Sequence, residues 1–487
     1  MYKLEEGKKE FEKFHLSFGG KLRGDNRWVQ LSDIIPWDEI EKEYAGHFSK
    51  KIGRTAKTVR LALGAVLIKE KLKLTDEETV ESIRENHYLQ YFLGYESYKD
   101  EKPFDPSMMV HFRKRLGPDA IRDLNEKITK KYHDQIEKQQ KEKSGGDKNG
   151  DGGNSGHLVI DATCIPQDIR HPNDVLLLDE CRKKTEQIID KLYAQSDLTV
   201  KPRTYRKRAR IEFLNFIRGK RRTRRAIRKA TKVQLQYLRR NLRSVNKLLE
   251  KYPLAILSKK QRRDLIVINE IFRQQRELYK TKTHSIPGKI IHIAQPHVRP
   301  IARGKARAAF EFGSKLSASI TEHGMMYVDR LQWEPYNESE DLIGQVEQYR
   351  NRFGRYPESV HADKIYRTRA NREYCESKGI RLSGPALGRP EKETAENRNR
   401  LKALRRIARQ DESIRQKIEG GFGTVKRKFS LSTVFEKLKE TSEMKIMICV
   451  LLVNCEKILR DLFLRILNIR LKQWMRSLYQ ARIAIFC

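Results

Sequence analysis

Three carboxylates stand out in a chain that is otherwise strongly basic. Asp161 sits in the middle of the apolar run LVIDATC. A carboxylate buried there is costly unless a cation or metal ion balances it. Asp363 ends the strand-like stretch ESVHAD, and strand ends in open α/β sheets face the ligand crevice. Glu419 lies within ARQDESIRQKIEGGFGTVKRKF, four residues after Arg415 and seven before Lys426. At helical periodicity these three side chains share a face. Three oxygen ligands from two strands and a helix suit a hard divalent cation, Mg2+ or Mn2+. Two such ions can activate a water or a 3′-hydroxyl and stabilise the leaving oxygen of an in-line phosphodiester displacement. Taken singly the acids are not distinctive. Asp168, Asp174, Asp329 and Glu412 compare with them, and Arg415 to Glu419 is also the spacing of an ordinary helical ion pair. Gly420, Gly421 and Gly423 either weaken that helix or let a DNA backbone come close.

The elements that must carry these acids follow from periodicity. HLVIDATCI (157–165) is short, apolar and β-branched, the pattern of a buried strand. Strand patterns return at KIIHIA (289–294), within 310–320, and at MMYVDRLQW (325–333). An amphipathic helix then presents Leu342, Ile343, Val346 and Tyr349. It is followed by a strand at 358–363, a helix near 367–378 and a short strand at 380–383. Asp411 is expected to cap a final helix carrying Ile414, Ile418 and Val425. Strands alternating with helices predict an α/β domain around a mixed sheet.

The flanks differ in character. Residues 1–138 are helical in period, with Val59, Leu63, Val66 and Leu67 in register and a capping box at Thr75 and Glu78. Short helices with basic tips suit a DNA-reading domain, and equally a plain helical dimerisation domain. Residues 144–156 hold six glycines in thirteen, so 139–156 is expected to be a flexible linker. The catalytic α/β domain is predicted over 157–440 and a helical segment over 441–487. Within the α/β domain, 175–285 reads as an inserted basic helical hairpin. Leu235, Leu238, Leu242, Val245 and Leu249 form a narrow seam, with Leu265, Ile268, Phe272 and Tyr279 on the facing helix. Residues 201–243 carry eighteen Lys or Arg against one acid, Glu212, a density that favours phosphate contact over a merely solvated face.

Composition agrees with a polyanionic partner. The 487 residues carry a formal net charge of +38, far more than solubility needs, and nucleic acid is the simplest partner. The apolar run 446–453 is too short to span a bilayer, which needs about 20 residues, so no membrane association is expected. The six cysteines show no CxxC pair and read as reduced thiols of a cytoplasmic protein.

These residues together resemble the bacterial insertion-sequence transposases of the DDE class, whose catalytic domain has an RNase H-like fold. The likeness runs through RWVQLSDIIPWDEIE, RLALGAVLIKEKL, VIDATCIPQDIRHPNDVLLL, QPHVRPIARGKARAAFEFGSKL, the stretch from WEPYNESEDLIGQ to HADKIYRTRANR, and RLSGPALGRP. It implies that Asp161, Asp363 and Glu419 are the catalytic acids and hold two divalent ions. The family's signature Tyr-x2-Arg-x3-Glu-x6-Lys is met here by Arg415, Glu419 and Lys426, with Glu412 in place of the Tyr. By the same likeness Arg415 and Lys426 grip phosphates at the transposon end, and the N-terminal block recognises terminal inverted repeats. The chain would nick element ends, join the freed 3′-OH to target DNA, and act as a homo-oligomer on double-stranded DNA. Arg299, Arg303, Lys305, Arg307, Arg367 and Arg369 lie in basic segments beside the site and are candidate phosphate contacts. Two other readings stand beside this one: an RNase H-like nuclease without strand transfer, and a non-catalytic DNA-binding remnant.

Overall fold

A computed structural model describes residues 14–15, 20–46, 48, 55–143, 153–305, 308–384, 391–394 and 396–486. The N-terminal part is a layer of helices: α1 (Arg27–Ile34), α2 (Trp37–Ala45), α3 (Val59–Leu72), α4 (Asp76–Glu85), α5 (His87–Phe92) and the long α6 (Met108–Lys143). α3 forms its centre, buried from Val59 to Ile68 on every side, as a helix apolar all round must be. α4 starts at the expected capping box, with the Thr75 side chain accepting from Glu78 N–H and Glu78 accepting from Thr75 N–H. α6 kinks at Gly117, whose φ of 65° no other residue type adopts cheaply, just before Pro118. This helix continues to Lys143, so the expected linker start at 139 is still helical. Residues 144–152, the glycine-rich part, lie outside the described residues.

β1 (His157–Pro166) opens the sheet, and the chain then leaves it for four helices: α7 (Asp174–Ala194), α8 (Arg206–Arg218), α9 (Arg224–Lys251) and α10 (Lys259–Thr281). The insertion is thus more than the expected hairpin. The α9 seam of Leu235, Leu238, Leu242 and Val245 packs against α7 through Leu178, Cys181, Ile188 and Leu192, as well as against Leu265, Ile268 and Ile271 of α10. A single facing helix would have left the other flank of that seam wet. Lys184 of α7 reaches Asp264 of α10 at 2.6 Å, and Arg182 is buried between Asp179 and Glu186.

Back in the sheet come β2 (Arg299–Lys305), β3 (Ala308–Thr321), β4 (Met326–Gln332), α11 (Asp341–Phe353), β5 (Ser359–His361), α12 (Arg369–Ser377), β6 (Arg381–Leu382), α13 (Arg398–Lys428) and α14 (Lys439–Phe486). β3 is the spine. It pairs antiparallel with β1, with β4 and with β2, and β1 in turn pairs parallel with β5 and β5 with β6. Three expectations fail. KIIHIA is not a strand: Ile290 and Ile293 are buried in the core of the helical insertion and Ile291 beside Val298 and Trp333, so its apolar residues anchor a connection. The strand β2 went unrecognised because it is basic rather than apolar. Asp411 caps nothing. α13 begins thirteen residues earlier, and mid-helix Asp411 holds Arg381 through two bonds of 2.8 Å. Of the apolar set proposed for α11, Leu342, Val346 and Tyr349 are buried and Ile343 faces out.

One core joins these layers. Side chains of α3, α6 and α14 pack with Val159 and Ile165 of β1, Leu316, Ala318 and Ile320 of β3, and Ile418, Phe422 and Val425 of α13. A second core on the other sheet face gathers Leu158 and Ile160 of β1 with Leu342, Val346, Val360 and Tyr366. No described helix is long and apolar enough to cross a membrane.

Candidate active site

Alternation along β1 decides where Asp161 points. Residues two apart share a sheet face. Val159 and Ile165 lie in the core with α13, so Asp161 and Thr163 face that helix. The contact is direct one residue pair along, where Lys426 Nζ donates to Thr163 Oγ1 at 2.8 Å. Asp363 lies in the turn just after the neighbouring strand, β5. β1 and β5 pair with Val159 opposite His361, the last residue of β5; Asp363 follows two residues beyond, close enough for its charge to act on Asp161. There Asp363 caps a short helical turn, accepting from Lys364 N–H at 2.6 Å.

Glu419 arrives on α13, which crosses this face of the sheet. At its Asp411 end the helix is held near His361 of β5, and Gly421 lies against Met326 and Ile320. A Cβ at Gly421 would stand 2.4 Å from Met326 Cε; the glycine serves close helix–sheet packing, not a DNA approach. Arg415 binds Glu419 at 2.7 Å and grips Glu412 through Nε and Nη2 at 3.1 and 2.8 Å. The helical ion pair considered from spacing alone is therefore formed. Glu412, at the position where the family signature has Tyr, supplies Arg415 with a second carboxylate.

The electrostatics of Asp161 bind the site together. Burial pushes its carboxyl up to about 6, and the charges of Glu338 and Asp363 push the same way, against the Ala162 N–H and Arg415. Asp161 thus feels Asp363, Arg415 (the partner of Glu419) and Glu338, a fourth acid that the sequence did not single out. Glu338 is held by Lys315 at 2.9 Å. Tyr366 lies just beyond Asp363, wholly buried, and its hydroxyl finds no hydrogen-bond partner among the described residues. Both lie in the stretch that carries the resemblance, yet no spacing marks them out; the turn between β4 and α11 and the turn after β5 bring them in.

Several other candidates have structural work. Arg299 is tied to Glu334 at 2.7 Å and to the Pro296 carbonyl, and is mostly buried. Arg367 donates to the carbonyls of Leu382 and Ser383, fastening the turn after β5 to β6. Both bonding patterns run against a free phosphate-contact role. Arg369 is exposed and pairs with Glu373 at 2.7 Å. Arg303 and Lys305 belong to β2 by backbone, but their side chains, like all of Arg307, lie outside the described residues. Of the comparison acids, Asp329 is buried against Arg352 and Gln345, and Asp174 holds Gln275 and Lys289. Among the described residues, ligand atoms lying within 4.8 Å of one another come not from the three acids but from His133, Glu322 and His323.

Comparison with known proteins adds to this geometry. Residues 360–456 match the family described as a Transposase DDE domain, and residues 17–115 match a Transposase domain (DUF772). The first span contains Asp363 and Glu419, not Asp161. An uncharacterized protein of Rhizobium meliloti, ORF8 in the nfe locus, is 40% identical over 96 residues, 20% of this chain and 46% of that protein; the chain thus spans about half the length of this relative. No solved structure matches. Matched by transposase domains in two separate stretches, the chain is a relative of the bacterial insertion-sequence transposases of the DDE class.

Proposed function

We propose that this protein is a transposase that binds the terminal inverted repeats of an insertion sequence and carries out DNA cleavage and strand transfer. The observation that supports the reading is that the charges of Asp363 and Arg415 both act on the buried carboxyl of Asp161, on a strand whose Thr163 is held by Lys426 of the helix that bears Glu419. The strand order β4-β3-β1-β5-β6, with the first two pairings antiparallel and the last two parallel, supports an RNase H-like catalytic domain.

The donor set fits divalent ions. Asp161 is a half-buried carboxylate whose proton affinity is raised by burial and by two neighbouring acids, the condition that a bound cation relieves. Asp161, Asp363 and Glu419 would hold Mg2+ or Mn2+, two ions by the family's precedent, with Glu419 first leaving Arg415. When bound, such ions activate the attacking hydroxyl and stabilise the leaving oxygen. The chain's own cations then do the rest. Arg415, freed from Glu419, and Lys426, fixed over Thr163, offer positive charge where a scissile phosphate would lie. The exposed basic residues of α8 and α9 supply sequence-independent attraction for the DNA backbone, and the helical N-terminal layer reads the repeat ends. The enzyme acts as a homo-oligomer, a reading supported by the apolar residues Phe463, Leu467, Leu471 and Trp474 that α14 leaves exposed.

The test is a joining assay with purified protein, Mn2+, a 3′-OH inverted-repeat end and a plasmid. Joined product is expected from the wild type, with a loss of at least about 10³-fold in Asp161→Ala and retained DNA binding. Cleavage without joining would favour the nuclease, and normal joining by Asp161→Ala would refute the assignment of the site.

A further inference from the structure

Beside the start of β1, three residues before Asp161, lies a second group of ligating side chains. Glu322 and His323 follow β3 directly, beyond Thr321, which pairs with Leu158. His133 reaches them from α6 of the helical layer. His133 Nε2 stands 3.7 Å from Glu322 Oε1, and His323 Nε2 stands 3.8 Å from the same oxygen. The two imidazole rings meet edge to face with centroids 4.8 Å apart.

Those separations are too long for hydrogen bonds. They are close to the spacing of ligand atoms around one tetrahedral zinc ion, about 3.3–3.5 Å for bonds of about 2.0–2.1 Å. The decisive atom is His133 Nε2. Its side chain is 4% exposed, the nitrogen is sealed from solvent, and among the described residues it has no hydrogen-bond partner, although it is aimed at Glu322. Leaving such a group bare is costly, and a metal ion satisfies it.

The surroundings are built for the same occupant. On its other nitrogen, Nδ1, His133 faces Glu137 Oε1 at 3.8 Å, and Glu137 is itself held by Arg355. A carboxylate behind a histidine is the arrangement that, once drawn into hydrogen-bond distance, orients the ring as a ligand. Gly156, with φ of 81°, passes so close to Glu322 that any Cβ would lie 2.5 Å from its Oε1, and Tyr349 donates to the other oxygen at 3.3 Å. Glu322 and His323 also line a cavity of about 920 Å³, through which an ion could enter and a water could fill the remaining coordination position.

From this geometry we propose that His133, Glu322 and His323 form a zinc site that pins the helical layer to the catalytic sheet. Two imidazoles and one carboxylate favour zinc over Mg2+, so the site is chemically distinct from the acids around Asp161. It does not rest on the transposase reading.

The experiment uses the full chain, dialysed against buffer with micromolar free Zn2+ and analysed by elemental mass spectrometry. One zinc per chain is expected for the wild type and for Asp161→Asn/Asp363→Asn. Almost none is expected for His323→Gln, whose partly exposed turn position should tolerate the change. Replacing zinc with Co2+ should give the visible bands of a tetrahedral N/O site, lost in both His323→Gln and Glu322→Gln. Far-UV circular dichroism of each variant reports that it folds. A wild-type chain that holds no zinc, a His323→Gln chain that holds as much as the wild type, or zinc lost in the Asp161/Asp363 variant instead would each overturn the proposal.

Discussion

Asp161 and Asp76 meet burial with opposite results, because only Asp76 is bound directly by cations. At Asp76 burial alone would raise the carboxyl, but Arg113, bound at 2.9 Å through both oxygens, and Lys69 at 2.5 Å pull it down to about 2. Because the folded value lies below the unfolded one, this stability is complete above about pH 4 and fades as pH falls towards 2. Asp76→Asn should cost about 2 kcal/mol at neutral pH and flatten the acid limb of a denaturation profile. Asp161 behaves in reverse. Its folded value of about 6 lies above the unfolded one, so stability is highest below about pH 4 and is lost as pH rises through 6. In buffer free of divalent ions, Asp161→Asn should therefore melt higher than the wild type at pH 7.5, by up to about 2–3 kcal/mol, while losing strand transfer. A melt unchanged between pH 4 and 7.5 in the wild type would contradict this. A stability sacrificed at one residue is the signature of a functional site.

At the scale of elements, two helices carry the tests. Gly421 of α13 lies against the tips of Met326 and Ile320. Gly421→Ala should shift Met326 at little net cost, whereas Gly421→Leu should destabilise by about 1–3 kcal/mol through overpacking, as read in denaturant titration. α9 buries its apolar seam and leaves Arg224, Arg225 and Lys229 exposed. Replacing the three with Gln should lower the slope of log affinity against log salt by about 3, since each phosphate contact contributes about 0.9. An unchanged slope would mean that this face meets only water. The same two helices show how far periodicity reaches. The α9 seam was plain in sequence, but the second helix covering it, α7, was not, because a seam records that a face is buried and not how many neighbours bury it.

Across the whole molecule, a glycine-rich stretch suggested separable domains, yet the helical layer, one face of the sheet and the first half of α14 share a core. Asn125 of α6, Asn454 of α14 and the Met326 carbonyl of β4 are hydrogen-bonded at its centre. A fragment 1–143 should expose Leu124, Ile128 and the inner face of α3, bind a hydrophobic dye and melt without cooperativity. The insertion, with its own core of α7, α9 and α10, is the part expected to show a separate unfolding transition by hydrogen exchange. A cooperative melt of 1–143 alone would show that the shared core is dispensable to it.

Sequence alone determined the chemistry on offer: a run of apolar residues interrupted by Asp161, an acid at the end of a second strand, a Glu between two cations at helical spacing, and an excess of positive charge. These are local patterns, and local patterns survive in one dimension. What only the tertiary structure decided is which groups meet. Strand and helix packing brought Asp363 and Arg415 within reach of the charge of Asp161, and a turn delivered Glu338. The packing of α6 against the β3–β4 turn gathered His133 with Glu322 and His323, residues that no spacing rule connects. Contacts between distant segments depend on how surfaces bury one another, and that information resides in the packed core, not in any stretch of the chain.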